Sequence, residues 1–240
     1  MNGRAAEGIN KQTSPSRGMR HVLALPMPRR CWHAGAVFMA IAAGTSSSGP
    51  TLRIAQRVPR TEAEGPGVRY ALWVQGCPLR CPGCCNPEMF ATERGTVETV
   101  EALAQDILAT PGIEGLTLLG GEPFSQPGPA AALCERVRAA GLSIMVFTGH
   151  TLAELRAQAR DDVDRLLATA DLLVDGRFEK DQPETARRWI GSRNQVMHFL
   201  TGRYSQYDAC FTAPNTAEVH FVGGKLVING WPALADRLRP

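Results

Sequence analysis

The chain has 240 residues, 44% of them hydrophobic and 20% charged, which suffices for one substantial domain and a tail. Net charge is +3, yet the first fifty residues carry six Lys or Arg against the single acid Glu7. The remainder is therefore net −2 and offers no basic surface for nucleic acid. Cysteines stand at 31, 77, 81, 84, 85, 134 and 210, with four of the seven inside nine residues. A disulfide framework would spread them through a shorter chain. This crowding points to metal in a reducing, cytoplasmic compartment.

Residues 1–50 mix Gly, Ser, Pro and Arg without period and are expected to be a disordered extension or a misassigned start, with translation beginning at Met39. Arg29-Arg30 precedes an apolar run from Ala34 to Ala43, so a twin-arginine export signal is the alternative; the run is too short to span a bilayer. Residues 51–240 are expected to form the functional domain.

Strand and helix signals alternate from Thr51 onward. Arg69–Gln75 reads as a half-buried strand, and Val97–Leu108 as a helix with Val97, Val100, Leu103, Ala104, Ile107 and Leu108 on one face. Gly115–Leu119 is a short buried strand. Ala130–Ala140 is a helix stopped at Gly141 and followed by the strand Ser143–Phe147. Leu152–Ala159 and Val163–Ala168 read as helices, the first capped by Thr151 with Glu154 three residues on. Asp171–Val174 and Asn194–Leu200 are strands. Glu218–Val222 and Lys225–Ile228 form a hairpin around Gly223-Gly224. Repeated strand–helix units predict an α/β fold with helices packed outside a parallel sheet. About five such units are too few for a complete eight-stranded barrel.

Cys77, Cys81 and Cys84 form C-x3-C-x2-C directly after a predicted strand. Three thiolates on one loop can hold three irons of a 4Fe–4S cubane and leave the fourth open to bind a substrate. Gly76 and Gly83 allow the backbone to turn beside the sulfurs. A zinc site is the alternative, but it would require a second ligand pair that the sequence lacks. Cys85 reads as a bystander or packing residue, Cys134 as core, and Cys31 and Cys210 carry no assignment. The second motif is Gly120-Gly121-Glu122-Pro123, at the end of the next strand, where parallel sheets place ligands. Its glycines let a ligand approach the backbone, and its carboxylate can accept hydrogen bonds from an ammonium group.

Five segments taken together resemble the radical S-adenosylmethionine superfamily, and more closely the activating enzymes of glycyl-radical proteins. They are Glu64–Arg69, the cysteine loop with Gln75-Gly76 before it and Asn86-Pro87 after it, Gly120–Pro123, Phe147–Gly149, and Asp175–Phe178 followed by Gly191–Gln195. The resemblance covers about Leu52 to Pro232. It departs at Cys85, where the family commonly carries an aromatic residue or His, and in lacking a tryptophan near Glu88–Thr92.

The resemblance implies an open, partial (β/α) barrel of about five to six parallel strands. It implies a 4Fe–4S cluster on Cys77, Cys81 and Cys84 and S-adenosyl-L-methionine as cosubstrate. Gly120, Gly121, Glu122 and Pro123 would hold its amino group, and Thr148 and Gly149 its ribose or carboxylate. Asp175 and Arg177 would take the methionyl carboxylate or a cation, and Asn194 and Gln195 would line the adenosine pocket. Flavodoxin or ferredoxin would supply the electron. The 5′-deoxyadenosyl radical would remove a hydrogen atom from a glycine of a partner enzyme, with anaerobic ribonucleotide reductase the leading candidate. No separate catalytic acid, base or nucleophile is expected, and neither nucleic acid nor membrane is an expected partner. The rival readings are a radical enzyme acting on a small molecule, similar to the deazapurine synthases, and a non-catalytic iron–sulfur protein.

Overall fold

A computed structural model describes residues 49–231 apart from 223 and 224. All but the last two residues of the expected extension, with Cys31 and Met39, lie outside the described residues. No helix among the described residues is long and apolar enough to cross a membrane.

The first element is strand β1 (Thr51–Thr61), which sequence reading passes over. Leu52, Ile54 and Val58 are buried on it, but the alternation is broken by irregular pairing near Gln56 and beyond Val58. It runs antiparallel to β2 (Arg69–Val74). The expected half-buried pattern of that second strand is corrected, because all six of its residues are buried. Tyr70, Leu72 and Val74 face the large core under the helices, while Ala71 and Trp73 face a second cluster with Val58, Met89 and Leu119. A strand covered on both faces loses its polar alternation.

The helix expected from Val97 also begins later. Thr96–Thr99 is an edge strand, β3, paired with β1, and Val97 is 51% exposed on it. Helix α1 (Val100–Ala109) starts where the Thr99 side chain accepts from the Ala102 amide, an N-cap that the apolar periodicity does not reveal. Strand β4 (Gly115–Gly120) follows. Helix α2 (Pro127–Ala139) begins three residues ahead of expectation, because Pro127 supplies a first-turn residue that needs no N–H partner. Gly141 beyond it has φ +86°, a left-handed turn that a side chain would resist.

Strand β5 (Ser143–Phe147) has the expected limits. Helix α3 (Leu152–Ala157) carries the full capping box of Thr151 and Glu154, and α4 spans Asp161–Thr169. Strands β6 (Leu172–Asp175) and β7 (Val196–Phe199) complete the sheet. A short helix α5 (Ala209–Thr212) precedes the hairpin of β8 (Ala217–Val222) and β9 (Lys225–Gly230).

The sheet order is β3-β1-β2-β4-β5-β6-β7. Pairings β2–β4, β4–β5 and β5–β6 are parallel, whereas β1–β2, β1–β3 and β6–β7 are antiparallel. Five strands therefore run one way, and four of them are contiguous. β7 is a correction to the wholly parallel expectation: it returns against β6 with no helix crossover between them. The two edges, β3 and β7, do not pair with each other, so among the described residues the sheet is open and no eight-stranded barrel forms.

Arg69 lies wholly buried at the start of β2. It donates to Thr117 Oγ1 at 2.6 Å, Ser143 Oγ at 2.8 Å and the Leu116 carbonyl at 2.6 Å. These bonds tie three adjacent strands together at the end remote from the cysteine loop. Desolvation lowers the guanidinium to about 10, still well above neutral pH.

Candidate metal and cofactor site

The carboxyl ends of the four contiguous parallel strands all feed one cavity of about 850 Å³. The cysteine loop leaves β2, Gly120–Glu122 leaves β4, Thr148-Gly149 leaves β5, and Gly176 leaves β6.

The cysteine loop is held by its own ends. Gly76 N donates to the Met89 carbonyl at 2.9 Å and Cys77 N to the Phe90 carbonyl at 3.3 Å. Gln75 Nε2 reaches the Ala91 carbonyl at 2.6 Å. Gln126 accepts from Arg53 N at 2.8 Å and donates to the Gln75 carbonyl at 3.1 Å, which fixes β1 against the loop's root. Gln75 and Gln126 are supports that sequence reading did not assign. Only the placement of Gln75 in the motif directly before Cys77 could have drawn attention to one of them.

Cys77, Cys81 and Cys84 all line the cavity as half-buried free thiols. The Cys84 thiol is pushed down to about 6, first by a hydrogen bond from Cys85 and then, against desolvation, by the Asn86 amide 3.4 Å away. Burial pushes Cys77 up, opposed by the Leu79 and Arg80 amides. Cys85 lies beside Cys84, and its thiol is raised by giving that bond. Cys134 is core, as expected, with its thiol pushed up to about 12 by burial.

A 4Fe–4S cluster fits this donor set. Three sulfurs share one cavity, and backbone amides already point at two of them. Among the described residues, no three His, Cys, Asp or Glu are gathered as closely as a single metal ion requires, the three loop cysteines included.

Glu122 is fully buried at the cavity wall. Its Oε1 accepts from Phe124 N and Thr148 Oγ1, both at 2.9 Å, and its Oε2 from Gly149 N at 2.9 Å. Burial pushes this carboxyl up, against those hydrogen bonds. A carboxylate offers about four acceptor positions, so about one is left for an ammonium group.

The two glycines answer to a packing constraint as well. A Cβ on Gly121 would lie 2.5 Å from the Gly76 carbonyl oxygen, and one on Gly120 would lie 2.7 Å from Trp73 Cβ. There β2 and the loop root after it already approach closely. Gly121 N donates to the Val74 carbonyl at 2.8 Å and Glu122 N to the Gly76 carbonyl at 2.9 Å, which carries the β2–β4 ladder into both motifs. Pro123, buried, opens the short turn Pro123–Ser125 behind them.

The remaining expected residues divide. Thr148, Gly149 and Gln195 line the cavity. Gln195 spends its side chain on the chain itself, accepting from Gly191 N and Ser192 N and donating to the Gly176 carbonyl at 2.9 Å. Asp175, Arg177 and Asn194 are not among the lining residues. Asp175 Oδ2 instead accepts from Leu152 N at 2.6 Å and meets His198 Nε2 at 2.9 Å, while Asn194 Nδ2 donates to the Arg177 carbonyl at 2.7 Å. All three sit at the expected strand end, where Asp175 is taken up by the start of α3 and Asn194 bonds through Nδ2 but keeps its Oδ1 buried without a partner among the described residues.

The same cavity holds residues that sequence reading gave no role. Glu64, Trp73, Trp189 and Asn229 line it. Glu64 Oε1 accepts from Gly230 N at 2.6 Å and Asn229 Nδ2 at 3.3 Å, which moors the β8–β9 hairpin to the segment after β1. Burial raises the Glu64 carboxyl to about 7, against those two bonds.

Residues 63–198 match the family model of the 4Fe-4S single cluster domain, so the class that fold and site define is that of single-cluster iron–sulfur proteins. The anaerobic ribonucleoside-triphosphate reductase-activating protein of Salmonella typhimurium is 36% identical over 157 residues, 62% of this chain and 99% of the relative. Its counterpart in Escherichia coli K12 is 35% identical over 153 residues, 60% of this chain and 97% of the relative. That of enterobacteria phage T4 is 33% identical over 151 residues, 60% of this chain and 92% of the relative. The chain belongs to this family of reductase-activating proteins.

Proposed function

We propose that the protein is a radical S-adenosylmethionine enzyme that generates a glycyl radical on anaerobic ribonucleotide reductase. The observation that carries this reading is the sharing of one cavity by the three loop cysteines and the Glu122 carboxylate. The names of its relatives supply the substrate protein. Bound to Cys77, Cys81 and Cys84, a 4Fe–4S cluster would supply the open iron and the electron that split S-adenosylmethionine into methionine and a 5′-deoxyadenosyl radical.

The chain's own residues bind and orient. Glu122 holds the cosubstrate's ammonium group through its free acceptor position. The Thr148 hydroxyl and the Gly149 amide fix that carboxylate, and Gly120 and Gly121 bring it against the root of the cysteine loop. Gln195 shapes the loop above the adenosine, while Asp175, Arg177 and Asn194 act by positioning that loop and the start of α3. The open sheet is read as the partial barrel of the superfamily, its free edge leaving the cavity accessible to a protein loop. Flavodoxin or ferredoxin is the electron donor. The six described cysteines are free thiols, which supports a reducing, cytoplasmic setting.

The test uses protein reconstituted without oxygen. It should hold about four irons per chain, as one cubane requires. Reduced with S-adenosylmethionine and the reductase, it should yield a glycyl-radical doublet by electron paramagnetic resonance. Cys77→Ser, Cys81→Ser and Cys84→Ser should each abolish both, and Cys85→Ala neither. Release of 5′-deoxyadenosine with no radical on the reductase would keep the chemistry and remove this partner. Full activity of a Cys84→Ser protein would remove the chemistry.

A further inference from the structure

The β8–β9 hairpin lies beyond residue 198, where the family match ends, and its two strands relate to the cavity differently. Leu226 to Trp231 line the cavity without a break, and no described residue of β8 does. A strand that met the cavity by one face would contribute alternate residues only. The cavity therefore runs along the edge of β9 that β8 does not cover.

The register fixes which main-chain groups that edge presents. Val227 pairs with His220 and Ile228 with Val219, and the pairing has no shift along its length. In an antiparallel pair, alternate residues turn their N–H and C=O toward the partner strand and the others turn them away. Trp231 N donates to the Thr216 carbonyl at 2.8 Å, so the odd-numbered residues of β9 face β8. Gly230 N donates the other way, to Glu64 Oε1 at 2.6 Å. Leu226 and Ile228 share the parity of Gly230 and present their N–H and C=O on the same outer edge. Among the described residues nothing bonds to those groups.

Strand edges are usually blunted by a proline, a charge or a bulge, because a bare edge invites pairing. From Leu226 to Gly230 the strand carries none of these. The edge is also held in place. Val227 packs against the cluster of Trp73 and Leu119, and Asn229 Nδ2 donates to Thr61 Oγ1 at 2.9 Å. The other face of the hairpin is apolar and open: Phe221 and Leu226, directly opposite each other, are 77% and 57% exposed.

Two open sets of main-chain groups two residues apart repeat at about 7 Å. Another extended chain matches that repeat, and a compact ligand such as the cosubstrate does not. The edge borders the cavity that holds Cys77, Cys81, Cys84 and Glu122, which a protein substrate must enter. We propose that the outer edge of β9 pairs with an extended segment of the reductase. That segment adds a third strand to the hairpin and sets an apolar side chain of its own beside Leu226. The proposal rests on the glycyl-radical reading and gives the protein substrate its docking place.

The test follows amide hydrogen exchange, residue by residue, in the cluster-loaded enzyme with and without the reductase. Adding the reductase should slow Leu226 and Ile228 at least about tenfold, while Val227, already turned to β8, should change little. A second arm uses Ile228→Pro, which removes an outward N–H from an edge strand and leaves the ladder to β8 its bonds. Slow Val227 exchange in the variant checks that the hairpin persists. Loss of one hydrogen bond should then raise KM for radical formation on the reductase about tenfold, with kcat little changed. No protection of either amide by the reductase, or an unchanged KM in a variant whose hairpin persists, overturns the pairing. So does protection already present without the reductase, which would assign the edge to another part of this chain or to a second copy. Protection by S-adenosylmethionine alone would assign it to the cosubstrate and overturns the pairing as well. If the hairpin melts in the variant, exchange in the wild type decides. A wild type that cleaves S-adenosylmethionine yet puts no radical on the reductase refutes the glycyl-radical reading, and exchange still decides the pairing.

Discussion

Glu64→Gln isolates a titration that the fold makes unfavourable. Both hydrogen bonds to the Glu64 side chain, from Gly230 N and Asn229 Nδ2, land on Oε1. A glutamine can keep both with its carbonyl oxygen and place its amide where Oε2 now has no protein donor. The substitution therefore removes a charge without removing a contact. The carboxyl is buried, the residue 7% exposed, and lies at about 7 against an ordinary value of 4.5, with desolvation the leading cause. A folded-state value above the unfolded one means that the group's contribution to stability is complete below about 4.5. It is lost as pH rises through about 7. Between pH 5 and 8 the wild type should therefore lose about 2 to 3 kcal/mol that the Gln variant retains. Urea unfolding followed by tryptophan fluorescence at several pH values measures the gap. Parallel pH dependence of the two proteins would show that Glu64 is not desolvated as described.

Gly121→Ala should destabilise by about 1 to 3 kcal/mol, because its Cβ must displace the Gly76 carbonyl and with it the root of the cysteine loop; thermal unfolding of the variant reads this directly. Thr148→Val removes a donor to Glu122 and the acceptor for the His150 amide, at about 1 kcal/mol, and should slow 5′-deoxyadenosine release more than it lowers the melting temperature. Asp175→Asn should cost about 1 kcal/mol of stability through the Leu152 amide and His198, yet leave the affinity for S-adenosylmethionine within about twofold. A large affinity loss in equilibrium dialysis would return Asp175 to the binding site.

Where local chemistry decides an element, the sequence was enough. The limits of β5 are those of its apolar run, and the Thr151–Glu154 capping box sets the start of α3. The hairpin around residues 223–224 was likewise visible from its two short apolar runs. Where pairing decides, it was not. β1 is long, rich in arginine and irregularly registered, so no clean period marks it. The direction of β7 depends on a return path through 176–195 that contains no crossover helix, and sequence spacing does not reveal that. The Thr99 cap overrode a helical period that ran through Val97.

The site divides in the same way. The thiols stood out because few other roles fit three cysteines at that spacing, and the Gly-Gly-Glu turn only because it follows them by about one strand–helix unit. Glu64 was visible only as part of a motif, and its mooring of the hairpin joins residues 166 apart in the chain. Trp189 and Asn229 stand in segments whose composition says loop and strand. Each keeps one buried polar atom without a partner among the described residues, which only coordinates can display.

The ladder between β2 and β4 does not stop where the strands do: Val74 and Gly76 continue it onto Gly121 and Glu122. The carboxylate wall is thereby organised by the sheet itself, whose central strands are buried in the core. The wall that carries Glu122 and the root of the cysteine loop are therefore parts of one ladder, so a substitution that shifts β2 against β4 moves both together and cannot displace one motif alone.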